Sequence, residues 1–186
     1  MAPGQLKKGA DLRLTGSGGG EVPLQWEPLV YWPDGSIKWA LLDVQPYTRA
    51  GETRLLNLAK GKSKAAPEQR ATVSKRGSLV RIKTGVIELE IDTEDFRLFN
   101  CLRARDARGK MVEVLGTSEG LVLVDARGSK YFGHYAPVEA TIERRGPIRV
   151  TVALKGEYRN RVGSRCFLVH RARPRLRRVR LREGRA

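Results

Sequence analysis

The chain has 186 residues, of which 40% are apolar and 30% are charged, and its formal net charge at pH 7 is +16. This composition is ordinary for a globular protein and excludes disorder for most of the chain. No apolar run approaches the roughly 20 residues of a membrane-spanning helix, and residues 1–8 lack the apolar stretch of a secretory signal. We therefore expect no membrane partner, and the sequence leaves the cellular compartment open.

The first predicted elements are a short strand at residues 11–15 and a flexible, glycine-rich connection at residues 16–20. The connection lacks the Lys-Ser or Lys-Thr ending of a phosphate-binding loop and does not open a helix, so it predicts no nucleotide site. A β-hairpin follows, because a Pro-Asp-Gly turn at residues 33–35 lies between two apolar runs, residues 22–31 and 37–44.

Three tryptophans surround this turn, and their placement depends on the register of the hairpin. A two-residue loop would put Trp26, Trp32 and Trp39 on one face. A type I turn followed by a glycine bulge would instead put Trp39 opposite Leu29 and away from Trp32. Clustered tryptophans could form a stacking platform for sugar rings or bases. Because large aromatic rings are more often buried, we favour a second interpretation, in which they fill the core of a small barrel.

The next segments complete this barrel and lead away from it. Residues 47–51 form a turn and residues 52–58 a returning strand. Residues 60–69 are polar and charged, are interrupted by a proline, and contain nothing that we expect to be buried. The sequence therefore predicts a linker. We predict a barrel domain at residues 1–60, a linker at 61–70, and a second domain at 71–186.

Beyond the linker the pattern is one of short strands separated by glycine-containing turns, without a convincing amphipathic helix. Turn signals at such intervals favour an antiparallel sandwich over a parallel sheet, since no stretch is long enough for crossover helices. The sequence thus predicts an all-β protein. The predicted strands are residues 72–75, 79–83, 86–91, 97–105, 111–115, 121–125, 137–144, 148–154 and 165–170.

The end of the chain is strongly basic. Residues 165–186 contain nine arginines and one acidic residue, Glu183, so they carry +8 of the total charge. A basic arm could bind nucleic acid or another polyanion by counterion release, although residues 170–180 have no aromatic residue for base stacking, and we expect nucleic-acid binding to be the lesser option. A solvated edge strand and the end of an interrupted coding frame are the alternatives. The polyanion-binding candidates are Arg171, Arg173, Arg175, Arg177, Arg178 and Arg180.

Few residues elsewhere are suited to chemistry. Cys101 and Cys166 have no metal-ligand or redox spacing, so we expect two unpaired, mostly buried thiols, no metal site and no cofactor. Glu88 and Glu90 share a strand face, which is typical of any solvated strand. His170 has no evident acidic partner. The segment at residues 130–135 could form a sugar-binding or proton-transfer patch through Tyr131, His134 and Tyr135, although a loop with packed aromatics is the interpretation we favour.

The run at residues 22–43 resembles the N-terminal domain of the exo-rhamnogalacturonan lyase and YetA-like family. The motifs that carry this resemblance are Val22-Pro23-Leu24-Gln25, Glu27-Pro28-Leu29, and Trp32-Pro33-Asp34-Gly35-Ser36-Ile37-Lys38-Trp39-Ala40-Leu41-Leu42-Asp43. Residues 146–150 look like a strand opening of the family's second domain. The resemblance implies a small RIFT-type β-barrel, then a β-sandwich, which we expect to be truncated here, and a C-terminal α/α toroid that we do not find in this sequence.

Lyases of this kind break the rhamnogalacturonan backbone by β-elimination, which needs a base and a cation that neutralises the uronic carboxylate. The resemblance implies that this chemistry belongs to the toroid or its interface, so no catalytic residue is assigned. We expect a non-catalytic part of a polysaccharide lyase-like protein that acts on pectic polysaccharide. The alternatives are a basic polyanion-binding module and a carbohydrate-binding module that uses its tryptophans.

Overall fold

The computed structural model describes residues 1–116 and 118–169, the last three of them by backbone alone. The described residues form fifteen β-strands and one short 3₁₀ turn at Gly133–Tyr135. These elements confirm the predicted all-β class. Every sheet is built from antiparallel pairs. Among the described residues, no helix has the length and apolar character needed to cross a membrane.

The first five strands form a half-open barrel. A three-stranded sheet has the order β2-β1-β5, and β3 pairs with β4 as a hairpin. Leu6, Leu12 and Ile37 lie buried between them, and Ile37 is completely inaccessible to solvent. Apolar side chains of the hairpin pack on these residues, so the alternation of the hairpin determines the barrel core. The strands are β1 (Leu12–Gly16), β2 (Glu21–Val22), β3 (Leu24–Tyr31), β4 (Ile37–Val44) and β5 (Leu56–Lys60).

The hairpin turn is a type I turn followed by a glycine bulge, the second of the two predicted geometries. The Gly35 N–H donates to the Trp32 carbonyl at 2.9 Å, and the Trp32 N–H donates to the Ser36 carbonyl at 2.7 Å. Gly35 has a φ of 79°, which glycine adopts without steric cost. The strands contain further irregularities near the turn, so Trp39 lies opposite Val30 and not opposite Leu29.

Two connections differ from their predicted character. The glycine-rich segment is a tight turn, since the Gly16 N–H donates to the Gly20 carbonyl and the Gly19 N–H donates to the Gly16 carbonyl, each at 2.9 Å. In the segment after β5, Pro67 is buried, which contradicts the expectation that this stretch buries nothing. The Glu21 carboxylate also accepts the Lys64 N–H at 2.7 Å and lies within 3.2 Å of Ser63 Oγ. The polar segment is therefore held against the barrel, and its use as a domain boundary stays a prediction.

The remaining ten strands form a sandwich of two sheets. One sheet has the order β10-β9-β8-β7-β6, and the other has the order β11-β12-β14-β13, with β15 also paired to β14. The strands are β6 (Thr72–Arg76), β7 (Leu79–Lys83), β8 (Ile87–Asp92), β9 (Cys101–Arg105), β10 (Met111–Leu115), β11 (Val122–Val124), β12 (Lys130–Phe132), β13 (Glu139–Arg145), β14 (Val150–Arg159) and β15 (Arg165–Val169).

The core of the sandwich lies between these two sheets. Val80 and Ile91 of the first sheet and Ala140 of the second are buried, and Phe96 and Val138 complete the cluster. The segment at residues 130–135, for which we favoured a loop, instead contributes the short strand β12 and the 3₁₀ turn. The expected loop is wrong for residues 130–132, because β12 pairs with both β11 and β14, whereas the expected packing of aromatic rings in this segment is observed.

Candidate functional site

The three tryptophans occupy different environments along the hairpin. Trp26 packs against the buried barrel core. Trp32 is half-buried, and its indole Nε1 donates to the Met1 carbonyl at 2.9 Å. Trp39 is 60% exposed. The favoured interpretation of three core tryptophans is therefore wrong for Trp39, because the bulges near the turn direct this ring into solvent.

Lys38 joins Trp32 and Trp39 into one surface patch at the end of the hairpin. Its Nζ lies 4.2 Å from the centroid of the Trp32 ring and 5.7 Å from the centroid of the Trp39 ring. An ammonium group at these distances is attracted to the negative face of an indole. The exposed side chains of Leu29 and Tyr31 lie on the same hairpin. We call Trp32, Lys38 and Trp39 the hairpin patch.

The hairpin patch is ordered by the residues that surround the turn. The Asp34 carboxylate accepts hydrogen bonds from the Ser36 hydroxyl at 2.6 Å and from the Ser36 N–H at 2.9 Å, and these bonds lower the pKa of Asp34. The Ser36 hydroxyl also accepts the Gly4 N–H at 2.9 Å. Residues 1–6 thus brace the turn, and the Leu6 carbonyl accepts the Ile37 N–H at 2.7 Å.

The second group of predicted sugar-contacting residues lies on the sandwich. The rings of His134 and Tyr135 are 4.4 Å apart, and each also contacts Phe132 at 5.1 to 5.3 Å. His134 Nδ1 lies 3.1 Å from the Glu119 carbonyl oxygen. The Tyr131 hydroxyl lies 3.4 Å from the Asp125 carboxylate, and burial raises the pKa of Tyr131. These contacts stabilise β12 and the 3₁₀ turn that follows it. The ring of Tyr135 stays partly exposed.

The other residues considered for chemistry are engaged in local contacts. Glu88 pairs with Lys83 at 2.9 Å, and Glu90 pairs with Arg81 at 2.7 Å, so both carboxylates bind a cation of the neighbouring strand. The Lys83 hydrogen bond lowers the pKa of Glu88. Cys101 and Cys166 are free thiols, as predicted, but each is half-buried where burial was expected, and the partial burial of Cys101 raises its pKa. Within the described part of the chain, no group of three or more His, Cys, Asp or Glu residues could hold a metal ion.

The sequence did not reveal a polar cluster between the barrel and the sandwich. The Arg149 guanidinium binds Asp43 with its Nε, at 2.9 and 3.0 Å from the two carboxylate oxygens, and binds Glu27 with one terminal nitrogen at 2.7 Å. Gln25, on the same hairpin face, binds the backbone at residues 148–149. The sequence feature that could have predicted this cluster is the alternation of Gln25 and Glu27 with apolar residues, because it indicates a second, polar face of β3. We call Gln25, Glu27, Asp43 and Arg149 the Arg149 cluster.

The basic candidates at the end of the chain, together with His170, lie outside the described residues. Their polyanion-binding role stays a prediction. The candidates concerned are Arg171, Arg173, Arg175, Arg177, Arg178 and Arg180.

Comparison with known proteins supports the resemblance drawn from residues 22–43. Residues 1–61 match the family model described as the PcRGLX-like N-terminal RIFT barrel domain. The uncharacterized protein YetA of Bacillus subtilis (strain 168) is 24% identical over 161 residues. This alignment covers 82% of the chain but 18% of YetA, so the chain spans less than a fifth of the length of this relative. The predicted family resemblance and the RIFT-type barrel are confirmed.

Proposed function

We propose that this chain is a non-catalytic barrel and sandwich portion of a polysaccharide lyase-like protein that acts on rhamnogalacturonan or a related pectic polysaccharide. The match of residues 1–61 to the RIFT barrel domain carries the proposal. In this account a C-terminal α/α toroid supplies the catalytic groups, and the barrel and the sandwich support it. The lineage implies the substrate class, and binding of pectic oligosaccharides can be measured separately from catalysis.

The contacts of Glu88, Glu90 and His134, the residues that could act as an acid or a base, are consistent with a non-catalytic, supporting role for this chain. A β-elimination needs a base that reaches the substrate and a cation that neutralises the uronic carboxylate. The Glu88 and Glu90 carboxylates are paired with cations on the neighbouring strand, and His134 contacts a carbonyl oxygen through Nδ1. Each of these groups already has a structural partner, which supports a framework function for the strands that carry them.

An activity assay tests the non-catalytic role. The chain is incubated with rhamnogalacturonan oligosaccharides, and the ultraviolet absorbance of the unsaturated uronic product is followed over time. We expect the rate to equal that of a heat-denatured sample, which measures spontaneous elimination. A protein-dependent rise that persists after repeated purification would contradict the proposal.

A second candidate function is carbohydrate binding at the hairpin patch, and the exposure of Trp39 favours it. An exposed indole offers a flat apolar face on which the C–H groups of a sugar ring can stack. Lys38, beside this ring, carries a charge that a uronic carboxylate would pair with. Trp26 is unsuited to this role because it packs against the barrel core.

Tryptophan fluorescence tests this second function. Addition of pectin oligosaccharides should change the emission of the wild-type chain in a saturable way, and Trp39→Ala should abolish the change. The matched control is Tyr47→Ala, which removes an exposed aromatic ring from the segment between β4 and β5. Unchanged emission in the wild type, or an unaltered response in the Trp39→Ala variant, would exclude the patch as the binding surface.

A further inference from the structure

We propose that the Arg149 cluster couples the barrel to the sandwich, so that the two unfold as one cooperative unit. This inference is independent of any carbohydrate and rests on the contacts between the hairpin and the segment that joins β13 to β14. The hairpin presents its apolar face to the barrel core, and Gln25, Glu27 and Asp43 lie on the opposite face. This second face is the one that contacts the sandwich.

The side chain of Gln25 makes a set of contacts with the backbone of the sandwich. The Gln25 carbonyl oxygen accepts the N–H groups of Ile148 and Arg149 at 2.9 and 2.8 Å, and its amide nitrogen donates to the Arg149 carbonyl at 3.0 Å. A barrel side chain therefore satisfies three backbone groups of the sandwich. Because unsatisfied backbone groups in a partly buried position are costly, the sandwich segment depends on the hairpin for its own hydrogen bonds.

The side chain of Arg149 binds residues of both the barrel and the sandwich. Its Nε binds Asp43, one terminal nitrogen binds Glu27 at 2.7 Å, and the other donates to the Thr151 hydroxyl at 2.9 Å. All three nitrogens of the planar guanidinium are engaged, which a lysine could not reproduce. Arg144 of β13 also pairs with Glu27, so two cations of the sandwich bind carboxylates of the barrel.

Unfolding of the barrel or the sandwich alone would break these contacts. The side chains of Glu27 and Asp43 are only 13% and 18% exposed, so they depend on their cation partners. If the sandwich unfolded alone, both carboxylates would lose Arg149, and the barrel would lose every ion pair and hydrogen bond that Gln25, Glu27 and Asp43 make with the sandwich. A further backbone bond, from the Ala71 N–H to the Pro147 carbonyl at 2.7 Å, ties the segment before β6 to the same loop. Loss of either part therefore destabilises the other.

The chain offers a direct way to observe this coupling. All three tryptophans, Trp26, Trp32 and Trp39, lie in the hairpin of the barrel, so their fluorescence reports unfolding of the barrel alone. Far-ultraviolet circular dichroism reports the strands of both parts. In a urea titration of the full-length wild-type chain, the two probes should give the same midpoint.

Two variants break the cluster, and a third serves as a control. Arg149→Met should separate the fluorescence and dichroism midpoints by on the order of 0.5 M urea. Asp43→Asn keeps the size of the side chain and should give a smaller separation. The control is Arg159→Met, because Arg159 binds Glu157 of its own strand and has the same 32% side-chain exposure as Arg149. The two midpoints should stay coincident in this control.

Each outcome decides the proposal. Separated midpoints in the Arg149→Met variant, with coincident midpoints in the wild type and the control, support it. If that variant fails to fold, Asp43→Asn is compared with the control in the same way. Separate transitions in the wild type would overturn the proposal, since the parts would then unfold independently. Coincident midpoints in every folded variant would also overturn it, since cooperativity would then not depend on the cluster.

Discussion

The side-chain amide of Gln25 lies directly against the backbone of Gly146. A Cβ atom at position 146 would stand 2.0 Å from both the carbon and the nitrogen of this amide. The amide cannot move aside freely, because it makes three hydrogen bonds to Ile148 and Arg149. The contact explains in steric terms why glycine occupies this position between β13 and β14.

The first prediction follows from this contact. Gly146→Ala should destabilise the chain by about 1 to 3 kcal/mol, the usual range for an extra methyl group in a filled site. Urea unfolding followed by circular dichroism measures the change. Gly18→Ala is the matched control, because nothing lies within 4 Å of a Cβ at position 18, and it should change stability by less than about 0.5 kcal/mol. Equal effects of the two substitutions would contradict the steric account.

The second prediction separates the roles of two tryptophans. Trp26→Ala removes a ring from the barrel core and should cost about 3 kcal/mol, near the lower end of the range for such truncations. Trp39→Ala removes a ring that is largely in solvent and should cost less than about 1 kcal/mol. Thermal or urea unfolding of both variants gives the comparison. A larger loss for Trp39→Ala would show that this ring packs in the barrel.

Local turn chemistry made much of the fold predictable. The strand at Ile37–Val44 has the predicted bounds because the Pro-Asp-Gly turn and the following apolar run specify it without distant partners. The strands at Leu79–Lys83 and Met111–Leu115 likewise match their predicted bounds. In each case the signal lies within the element and its flanking turns.

Elements that depend on distant pairing were less predictable. Strand β14 extends to Arg159, five residues beyond the predicted end at residue 154, because its second half pairs with β15 and β12. Strand β12 is three residues long, too short for a recognisable alternation. The Arg149 cluster joins residues that are 106 and 122 positions apart, and a single sequence carries no signal for such contacts. The exposure of Trp39 results from bulges that the turn sequence alone does not specify.

The third prediction concerns acid. Hydrogen bonds from Ser36 to Asp34, first from its hydroxyl and then from its N–H, lower the pKa of this carboxyl. A carboxyl with a lowered pKa in the folded state stabilises the fold above its ordinary value of about 4, and this contribution is lost as the pH falls through the lowered value. In Ser36→Ala the hydroxyl donor is gone, so the pKa of Asp34 should rise toward the ordinary value.

A pH titration of the Asp34 side-chain carboxyl by NMR measures this effect in the wild type and in the variant. Ser118→Ala is the control, because the Ser118 hydroxyl donates to the Arg97 carbonyl and has no contact with Asp34. The same Asp34 pKa in the wild type and in Ser36→Ala would show that the hydroxyl does not stabilise the charged form.

The fourth prediction addresses the basic end of the chain. Residues 165–186 carry a net charge of +8, so attraction to a polyanion should be dominated by counterion release. Binding to polygalacturonate, measured by fluorescence anisotropy, should weaken steeply as the salt concentration rises and should fall when the six candidate arginines from Arg171 to Arg180 are replaced by glutamine. Salt-independent binding, or binding that survives these replacements, would exclude the basic end as the contact surface.

The central claim is that the Arg149 cluster holds the barrel and the sandwich together as one cooperative unit. A double-mutant cycle tests this claim most directly. Arg149→Met, Asp43→Asn and the double variant are unfolded in urea, the transition of the barrel is followed by tryptophan fluorescence, and the interaction energy is taken from the three differences in its free energy of unfolding relative to the wild type. We predict an interaction energy of about 1 to 3 kcal/mol, as found for charged groups in direct contact. Additivity of the two substitutions within about 0.3 kcal/mol would contradict the claim.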